Sequence, residues 1–376
     1  MIYPSAFMMS KTKTKVLFVL HMPPPLHGAG LVGQSIHDSA LVGERFDCRW
    51  VNLSASARLE EIDKPSLGKF KTFLRIWKNV RREVKTFSPK YAYITPSATL
   101  MGFIKDFMLV RYLKRHGIKV AMHLHNKGFS LMSGKRLYDR MLFSFFRDVK
   151  VILLSKRLYP DISRYVRKSD IAICHNGVNL PNLKPSDKRH DPPRILFLSN
   201  LLKSKGVEDM LAVCAALKEE GKAFSCTVVG AESADYTRES LEAEIAALGL
   251  EGYVSYVGKK FGLEKENILS ETDILLYPSR NDALPLVVLE GMASSLPVVA
   301  TDEGGIADEV EDGVSGFVCK PRDVAAMTEA VSKLLSDRDL RVRMGREGYR
   351  KYSERFTEEV FEKRIVQVLC SIFPDS

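Results

Sequence analysis

Two series of short apolar runs constrain the fold of this 376-residue chain more than any other feature. Each run is rich in β-branched residues and is followed by a stretch long enough for an amphipathic helix, which is typical of parallel sheets covered by helices on both faces. The sequence therefore predicts an α/β fold. The expected strands are Val16–Leu20, Arg49–Leu53, Tyr91–Thr95, Lys119–Leu124, Val151–Leu154 and Ile171–Cys174, then Ile195–Ser199, Cys226–Gly230, Val254–Val257, Ile274–Tyr277, Val298–Thr301 and Gly316–Val318.

A segment rich in proline and charge, PNLKPSDKRHDPP at 181–193, separates the two series and has the composition of a linker. Single cores stop growing near about 250 to 300 residues, so the length also favours two domains. We expect a first domain at 1–185, a second at 186–352 and a C-terminal segment at 353–376.

The segment SRNDALPLVVLEGMASSLPVVATDEGGIADEV places two acids around a predicted helix start, with Asp282 before the helix and Glu290 inside it. Pro285 suits the first helical turn, and the amides of Ala283, Leu284 and Leu286 would then form an anion-binding surface. The pair Gly304-Gly305 would let a second backbone approach the same ligand. Carboxylates can accept hydrogen bonds from sugar hydroxyls, and backbone amides can bind phosphates. Together they indicate a sugar nucleotide as the ligand. The alternative is an ordinary α/β crossover with a capping acid.

Two further regions are expected beside the same ligand, because open α/β sheets bind ligands beyond the carboxyl ends of their strands. His123 and His125 end one predicted strand, and one of them should face the cleft; the alternative is a hydrogen-bonded histidine at a strand end. After the first strand, a loop with Gly28 and Gly30 precedes a helix, which suits a diphosphate. This loop is a weak signal by itself, because it lacks the G-x-G-x-x-G pattern.

In the second series, Lys205 follows the first strand and offers a cation for phosphates, with Lys203 as its rival and a solvated loop lysine as the alternative. Gly230 and Gly258 each follow a strand, where small residues suit a flat nucleobase. The six cysteines show no CxxC and no metal-ligand spacing with histidine, and Lys205 with the helix-start amides can replace a metal at the phosphates, so we expect no metal.

Five segments, in this order, resemble the GT4 family of retaining glycosyltransferases, which have the GT-B fold. They are KVLFVLHMPPPLHGAG, VAMHLHN, CHNGVNL, ILFLSNLLKSKGVEDML and the segment around Asp282 and Glu290. The resemblance implies two Rossmann-like domains facing each other across a cleft, with the C-terminal helix packed back on the first domain. It implies a nucleoside diphosphate sugar of the UDP or GDP type as donor, a glycan or polyprenyl-linked acceptor, and no cofactor.

The resemblance also implies residue roles. His125 would lie beside the donor sugar, Lys205 at the phosphates, Asp282 at hydroxyls of the transferred sugar and Glu290 at the ribose. The expected catalytic residues are His125, Lys205 and Asp282. The expected donor-binding residues are Gly28, Gly30, Asn200, Lys205, Gly230, Gly258, Lys259, Asp282, Ala283, Leu284, Pro285, Leu286 and Glu290. Two positions depart from the family pattern: Asp282 replaces the usual Glu, and Asn200 the usual Arg.

Charge is divided unevenly between the two halves of the chain. Residues 1–189 hold 34 Lys and Arg against 13 Asp and Glu, and the rest holds 22 against 33, so the halves carry +21 and −11. The first half is therefore expected to meet an anionic partner. A membrane surface is favoured over nucleic acid, because zinc-finger, RNP and basic-zipper patterns are absent.

The stretch 70–87 contains a candidate membrane-surface helix. An apolar stripe of Phe73, Trp77, Val80 and Val84 runs beside a basic face. The alternative is that the stripe packs on the sheet. The basic face consists of Lys71, Arg75, Lys78, Arg81, Arg82 and Lys85.

The sequence has no transmembrane stretch and no signal peptide, and its six cysteines are scattered. We therefore expect a cytoplasmic protein at the inner face of the membrane, with reduced cysteines; the pattern gives no oligomeric state. The implied function is a retaining glycosyltransferase of surface-polysaccharide biosynthesis. The alternatives are a GT-B nucleotide-sugar epimerase and a catalytically silent sugar-nucleotide-binding subunit.

Overall fold

The computed structural model describes residues 13–24, 27–54, 67–183 and 190–374. Within them the chain forms two parallel sheets of six strands each, with orders β2-β1-β3-β4-β5-β6 and β12-β11-β10-β7-β8-β9. The strands are β1 (Thr14–Leu20), β2 (Phe46–Asn52), β3 (Tyr91–Ile94), β4 (Lys119–Leu124), β5 (Val149–Leu153), β6 (Ile171–Ile173), β7 (Arg194–Leu198), β8 (Ser225–Val229), β9 (Val254–Tyr256), β10 (Ile274–Tyr277), β11 (Val298–Thr301) and β12 (Gly316–Cys319).

Each strand expected from the sequence overlaps one of these strands, and the predicted α/β architecture is confirmed. Residues 181–183 and 190–193 of the expected linker lie between the two sheets in the chain, and its middle, 184–189, lies outside the described residues. The strands could be predicted because parallel strands are buried on both faces, so each one is a continuous apolar run in the sequence.

Helices cover both faces of each sheet. They are α1 (Gly28–Asp38), α2 (Ala40–Arg45), α3 (Leu67–Phe87), α4 (Leu100–Arg115), α5 (Phe129–Met132), α6 (Arg136–Phe146), α7 (Val207–Glu219), α8 (Arg238–Ala247), α9 (Gly262–Ser270), α10 (Leu286–Ala293), α11 (Ile306–Glu309), α12 (Val324–Ser336), α13 (Arg338–Arg355) and α14 (Glu358–Ile372). No helix of the described part is both long enough and apolar enough to cross a membrane.

The C-terminal helix α14 packs on the first sheet, although it follows the second in the chain. Phe361, Ile365 and Leu369 are fully buried in the cluster that contains strand β1. Phe356, which precedes the helix, lies in the cluster of the second sheet. The chain thus connects the two domains twice.

Helix α3 uses its apolar stripe for packing. Ile76, Val80 and Val84 are buried against the sheet, and the Trp77 ring lies 5.2 Å from that of Tyr112 on α4. Trp77 is therefore partly buried within the first domain. The basic face of α3 remains exposed on the opposite side.

Candidate functional site

The loop between β10 and α10 is where the second domain enters the first. The side chains of Ala283 and Leu284 are only 3 % and 4 % exposed, within the hydrophobic cluster of the first domain. Leu286 packs against the cluster around β1, and its Cδ1 atom lies 3.9 Å from where a Cβ would stand at Gly28. The carbonyl of Leu284 accepts a hydrogen bond from Asn176 Nδ2 at 3.2 Å. The structure therefore brings the glycine loop and the Asp282 segment together.

The start of α10 differs from the expectation. Pro285 is the N-cap residue, with φ −75° and ψ 126°, and the helix begins at Leu286 rather than at the proline. The amide of Ala283, expected to face a phosphate, instead donates to Asp282 Oδ1 at 3.1 Å, because a carboxylate one residue earlier lies within its reach. The backbone amides from Leu286 onward lie at the start of α10, where a helix can bind an anion.

Asp282 is the most densely hydrogen-bonded of the expected site residues. Its Oδ2 atom lies 2.5 Å from Lys205 Nζ and accepts from the Tyr277 hydroxyl at 2.6 Å and from Ser279 Oγ at 3.4 Å. Burial and the nearby carboxylate of Asp282 hold the pKa of Tyr277 well above its usual value, so this phenol remains a donor. Lys205 also donates to the Asn281 carbonyl at 3.2 Å.

The choice between the two lysines follows from this geometry. Lys203 Nζ is directed to Glu208, 3.6 Å away, and its side chain is 59 % exposed, whereas Lys205 is 22 % exposed at Asp282. Gly206 follows Lys205 and precedes α7, and its φ is 78°. A Cβ atom added to Gly206 would lie only 2.0 Å from the carbonyl oxygen of Pro278. Only glycine allows this approach, which carries Lys205 to Asp282.

Arg280 and the backbone fix the Lys205 loop further. The amides of Arg280 and Asn281 donate to the Ser204 carbonyl at 2.9 and 3.1 Å. The Arg280 guanidinium binds Asp209 in a bidentate manner, at 2.6 and 2.7 Å, and Glu208 at 2.7 Å. Such planar pairs give geometric specificity as well as energy, so the cation and the carboxylate are pre-positioned.

Glu290 lies on the second turn of α10 and is 5 % exposed. Its Oε1 atom forms an ion pair of 2.7 Å with Lys265 of α9, which the sequence gave no reason to single out. A carboxylate held by one cation keeps acceptor capacity for a diol such as a ribose.

The loops after β7, β8 and β9 meet beside this helix. The Gly230 amide donates to the Gly258 carbonyl at 3.1 Å, and a Cβ at Gly230 would lie 1.8 Å from the Ser199 carbonyl oxygen, so backbone packing by itself requires glycine there. Asn200 Oδ1 accepts a hydrogen bond from the Ala231 amide at 3.3 Å, so its side chain stabilises the loop after β8. Lys259 lies over the Phe261 ring, 4.6 Å from its centroid.

The two histidines of β4 have different environments. His123 is fully buried and its Nδ1 lies 2.6 Å from the Tyr93 hydroxyl, as expected of a core residue. The His125 ring is tilted against that of His123, with 4.1 Å between the ring centroids, and the Nε2 atoms of both rings are buried without a hydrogen-bond partner among the described residues. Burial, aided by the nearby His27, lowers the pKa of His125 to about 3, so the ring is neutral at physiological pH.

In the glycine loop, His27 caps α1. Its Nδ1 atom accepts a hydrogen bond from the Gly30 amide at 3.1 Å. Gly30 is thus committed to the helix cap, whereas Gly28 lies at the domain contact. The capping histidine was not singled out by sequence reasoning, because histidine is not among the residues preferred at a helix N-cap.

Oppositely charged side chains join the domains beside Asp282. Lys127 of the first domain pairs with Glu303, whose Oε1 also accepts from the Asp282 amide at 3.2 Å. Arg157 pairs with Asp302, and Ser155 Oγ donates to Asp308 Oδ2 at 2.5 Å. The sequence pattern did not identify these residues, because it does not show which loops of the two domains will come into contact.

An open cleft of about 840 Å³ lies beside these pairs. Its walls come from the 127–131 and 157–161 loops of the first domain and from Arg280, Asn281, Asp302 and Gly304 of the second. Among the described residues, no group of three His, Cys, Asp or Glu side chains is arranged to hold a metal ion.

Comparison with known proteins shows which family and which solved structures the chain resembles. The model of the family described as "Glycosyl transferases group 1" matches residues 181–351. Among curated relatives, the amylovoran biosynthesis glycosyltransferase AmsK of Erwinia amylovora is 34 % identical over 159 residues, and the alpha-D-kanosaminyltransferase of Streptomyces kanamyceticus is 33 % identical over 154. Each match covers 41 % of this chain and spans 38 % and 39 % of the respective relative. The putative glycosyltransferase EpsD of Bacillus subtilis is 25 % identical, over 78 % of this chain and 80 % of its own.

Solved structures resemble the whole chain. Sucrose-phosphate synthase from Thermosynechococcus elongatus superimposes with a TM-score of 0.77 at 16 % identity, covering 97 % of this chain and 100 % of its own. HepE of Anabaena, in complex with UDP, gives 0.73 at 20 % identity, covering 95 % and 100 %. The predicted GT-B fold is confirmed, and residues 181–351 match the family of group 1 glycosyltransferases.

A buried acid next to the site makes stability depend on pH. Glu309 of α11 is fully buried, and neither of its carboxyl oxygens has a hydrogen-bond partner among the described residues. Burial first, then the charges of Asp282 and Asp308, raise its pKa well above the usual value. Above the ordinary pKa of a Glu, near pH 4.5, the unfolded chain releases this proton while the folded chain keeps it, so the contribution to stability falls as pH rises.

We predict that Glu309→Gln removes this dependence. The free energy of unfolding of the variant minus that of the wild type should grow between pH 5 and pH 8, by at most about 1.4 kcal/mol per pH unit. Urea denaturation at four pH values measures it. Glu311→Gln, at an exposed position nearby, is the control and should follow the wild type. Parallel curves for Glu309→Gln and the wild type would show that the acid is ionised in the fold.

Proposed function

We propose that this protein is a retaining, metal-independent glycosyltransferase of the GT4 type. It transfers a hexosyl or N-acetylhexosaminyl group from a nucleoside diphosphate sugar to a glycan or lipid-linked acceptor. The observation that carries the proposal is the Lys205–Asp282 pair, 2.5 Å long, at the carboxyl ends of β7 and β10. Leu286, four residues after Asp282, lies against Gly28 of the glycine loop. A cation for phosphates and a carboxylate for hydroxyls thus lie side by side near the contact between the domains.

Each donor part has a matching group. Lys205 and the start of α10 would hold the diphosphate, whose charge grows as it leaves. Glu290 would bind the ribose hydroxyls, and the base would lie near Gly258 and Lys259. Asp282 would bind hydroxyls of the transferred sugar. His125, neutral at physiological pH, is suited to a hydrogen bond with that sugar rather than to charge compensation.

The proposed step is a front-face substitution. The acceptor oxygen forms a bond to the anomeric carbon while the bond from that carbon to the diphosphate oxygen breaks, and the acceptor proton passes to the departing diphosphate. The protein then contributes positioning and electrostatic stabilisation. No sequence spacing indicates the paired carboxylates of a double displacement.

The comparisons support the donor and acceptor classes. HepE is solved with UDP, and AmsK and the Staphylococcus aureus protein CapM are named for amylovoran and capsular polysaccharide biosynthesis. We therefore propose a UDP-sugar donor, with GDP-sugars as the other type, and a place in surface-polysaccharide assembly. A panel of nucleotide sugars, assayed for hydrolysis and transfer, tests this. Epimerised donor would reveal an epimerase, and tight binding without turnover would reveal a silent subunit.

We also propose a location at the cytoplasmic face of the membrane, through the basic face of α3. Among the described residues, Arg82 is the one cation of that face that forms an ion pair, and its partner is Glu83 of the same helix. The remaining cations face solvent on a domain with a large positive excess, which attracts anionic lipids.

The proposed binding of the donor predicts that Glu290 and Asp282 contribute differently to the affinity for free UDP. Glu290→Ala should weaken binding of free UDP by about tenfold or more, because a hydrogen bond to a charged group is lost, whereas Asp282→Ala should change it little. Calorimetric titration measures both, and Lys265→Ala is the control for breaking the ion pair alone. Equal losses for Glu290→Ala and Asp282→Ala would contradict the assignment.

The two histidines of β4 are predicted to have different roles, His125 in the rate of transfer and His123 in the stability of the fold. His125→Ala should abolish transfer while thermal stability and UDP affinity remain near wild type, since its Nε2 has no partner in the fold. His123→Ala should instead lower the melting temperature, because it removes a buried ring and the contact with Tyr93. The reverse pattern would exchange the two roles.

The membrane proposal predicts that the full chain sediments with vesicles containing phosphatidylglycerol, less so as salt rises. Changing Lys78, Arg81 and Arg82 together to Glu should abolish this, while Lys218, Lys222 and Lys320 changed to Glu in the second domain should not. Unchanged binding by the first triple variant would contradict it. Competition by DNA would indicate a nucleic-acid partner instead.

A further inference from the structure

His27 lies next to the contact between the domains and has one ring nitrogen without a partner. Its Nδ1 atom accepts a hydrogen bond from the Gly30 amide at 3.1 Å, at the N-cap position of α1. Its Nε2 atom forms no hydrogen bond with the described residues and, unlike the Nε2 atoms of His123 and His125, it is not buried. A ligand beside the domain contact can therefore reach this atom.

The helix cap fixes which nitrogen of His27 carries the proton. A backbone N–H can only donate, so Nδ1 is the acceptor, and the single proton of the neutral ring is then on Nε2. Burial lowers the pKa of His27 below its usual value, so the ring is neutral at physiological pH. His27 therefore presents an N–H donor at Nε2 and cannot act as a base there.

The starts of two helices meet beside this donor. Gly28 begins α1, and a Cβ atom added to it would lie 3.9 Å from Cδ1 of Leu286, which begins α10. Helix starts carry partial positive charge and unpaired amides, so the region between the two favours an anion. The cap occupies the Gly30 amide of α1, and the ring offers an N–H of its own at the other nitrogen.

A second nitrogen without a partner lies nearby. The Nε2 atom of His125 is buried and has no hydrogen-bond partner among the described residues. His27 is close enough to lower the pKa of His125, and its ring centroid lies 5.9 Å from that of His21. Buried polar atoms are ordinarily paired, so the region between these rings suits a polar ligand.

We propose that the Nε2–H group of His27 donates a hydrogen bond to the sugar-bearing phosphate of the donor. This rests on the proposed transfer function and adds a residue to it. The nucleoside would bind at Glu290 and Gly258 of the second domain, so the phosphate next to the ribose stays on that side and the second phosphate reaches the first domain. The proposal therefore separates the two phosphates of the donor by the domain that holds each.

The same contact acts during the transfer step. As the bond from the anomeric carbon to the diphosphate oxygen breaks, its electron pair moves to that oxygen and the charge of the phosphate grows. The hydrogen bond from His27 then strengthens, because its acceptor becomes more negative. The proton stays on Nε2, and no bond to the ring forms or breaks.

The alternative is that His27 only caps α1, and two substitutions separate these roles. Asparagine places an acceptor where Nδ1 lies and is among the residues preferred at an N-cap, so His27→Asn keeps the cap and loses the distal donor. Glutamine is longer and places an N–H donor where Nε2 lies, so His27→Gln keeps the donor and loses the cap.

Calorimetric titration of the full chain with UDP and with UMP measures the contact, with GDP and GMP in parallel. His27→Asn should bind UDP about tenfold more weakly, because a hydrogen bond to a charged group is lost, and should bind UMP as the wild type does. Its melting temperature should stay near that of the wild type. His27→Gln should keep most of the UDP affinity although its melting temperature falls. His37→Asn, in the last turn of the same helix, is the matched control and should behave as the wild type.

Three results would overturn the proposal. UDP affinity that is kept in His27→Asn and lost in His27→Gln would show that His27 acts only through the helix cap. Equal losses for UDP and UMP in His27→Asn would place the contact at the nucleoside side of the donor. Unchanged UDP affinity in both variants would remove the contact altogether.

Glu290→Ala distinguishes failure of this contact from failure of the proposed function. If Glu290→Ala loses both UDP and UMP while His27→Asn binds UDP as the wild type does, the donor site stands and only the His27 contact fails. A wild-type protein that binds none of the four nucleotides would defeat the donor site and the His27 contact together.

Discussion

One carboxylate, that of Asp282, links the two domains and the expected chemistry. Its side chain is held by Lys205, Tyr277 and Ser279, all from the second domain. Its amide donates to Glu303, which pairs across the cleft with Lys127. The next two side chains are buried in the core of the first domain. Any relative movement of the domains therefore acts directly on the position of the acid that would bind the transferred sugar.

This arrangement also explains how an aspartate serves where the family usually has a longer acid. The Tyr277 hydroxyl and the Lys205 ammonium both reach Oδ2 within 2.6 Å, so the protein brings its donors to the shorter side chain. At Asn200, the other departure, the side-chain oxygen accepts a hydrogen bond from the Ala231 amide and so stabilises that loop. Lys205 is then the cation that would meet a phosphate there. Neither departure leaves a gap in the structure.

The sequence was sufficient for the strands and for the residues near them, because buried parallel strands are continuous apolar runs and site residues follow their ends. It predicted helix α10 but placed its start one residue early, since proline suits both the N-cap and the first turn. It could not find Lys127, Arg157 or Lys265. Their partners lie on distant elements, and no periodicity records such contacts. The partner of Glu290, on a separate helix, is an example: only the fold brings Lys265 within 2.7 Å.

The uneven charge of the two halves has a role inside the molecule as well as at its surface. Cations of the first domain, Lys127 and Arg157, meet acids of the second, Glu303 and Asp302, at the cleft. Part of the positive excess of one half and part of the negative excess of the other is therefore neutralised across the cleft. The basic face of α3 has no partner in the second domain among the described residues, so its cations are not part of this neutralisation across the cleft.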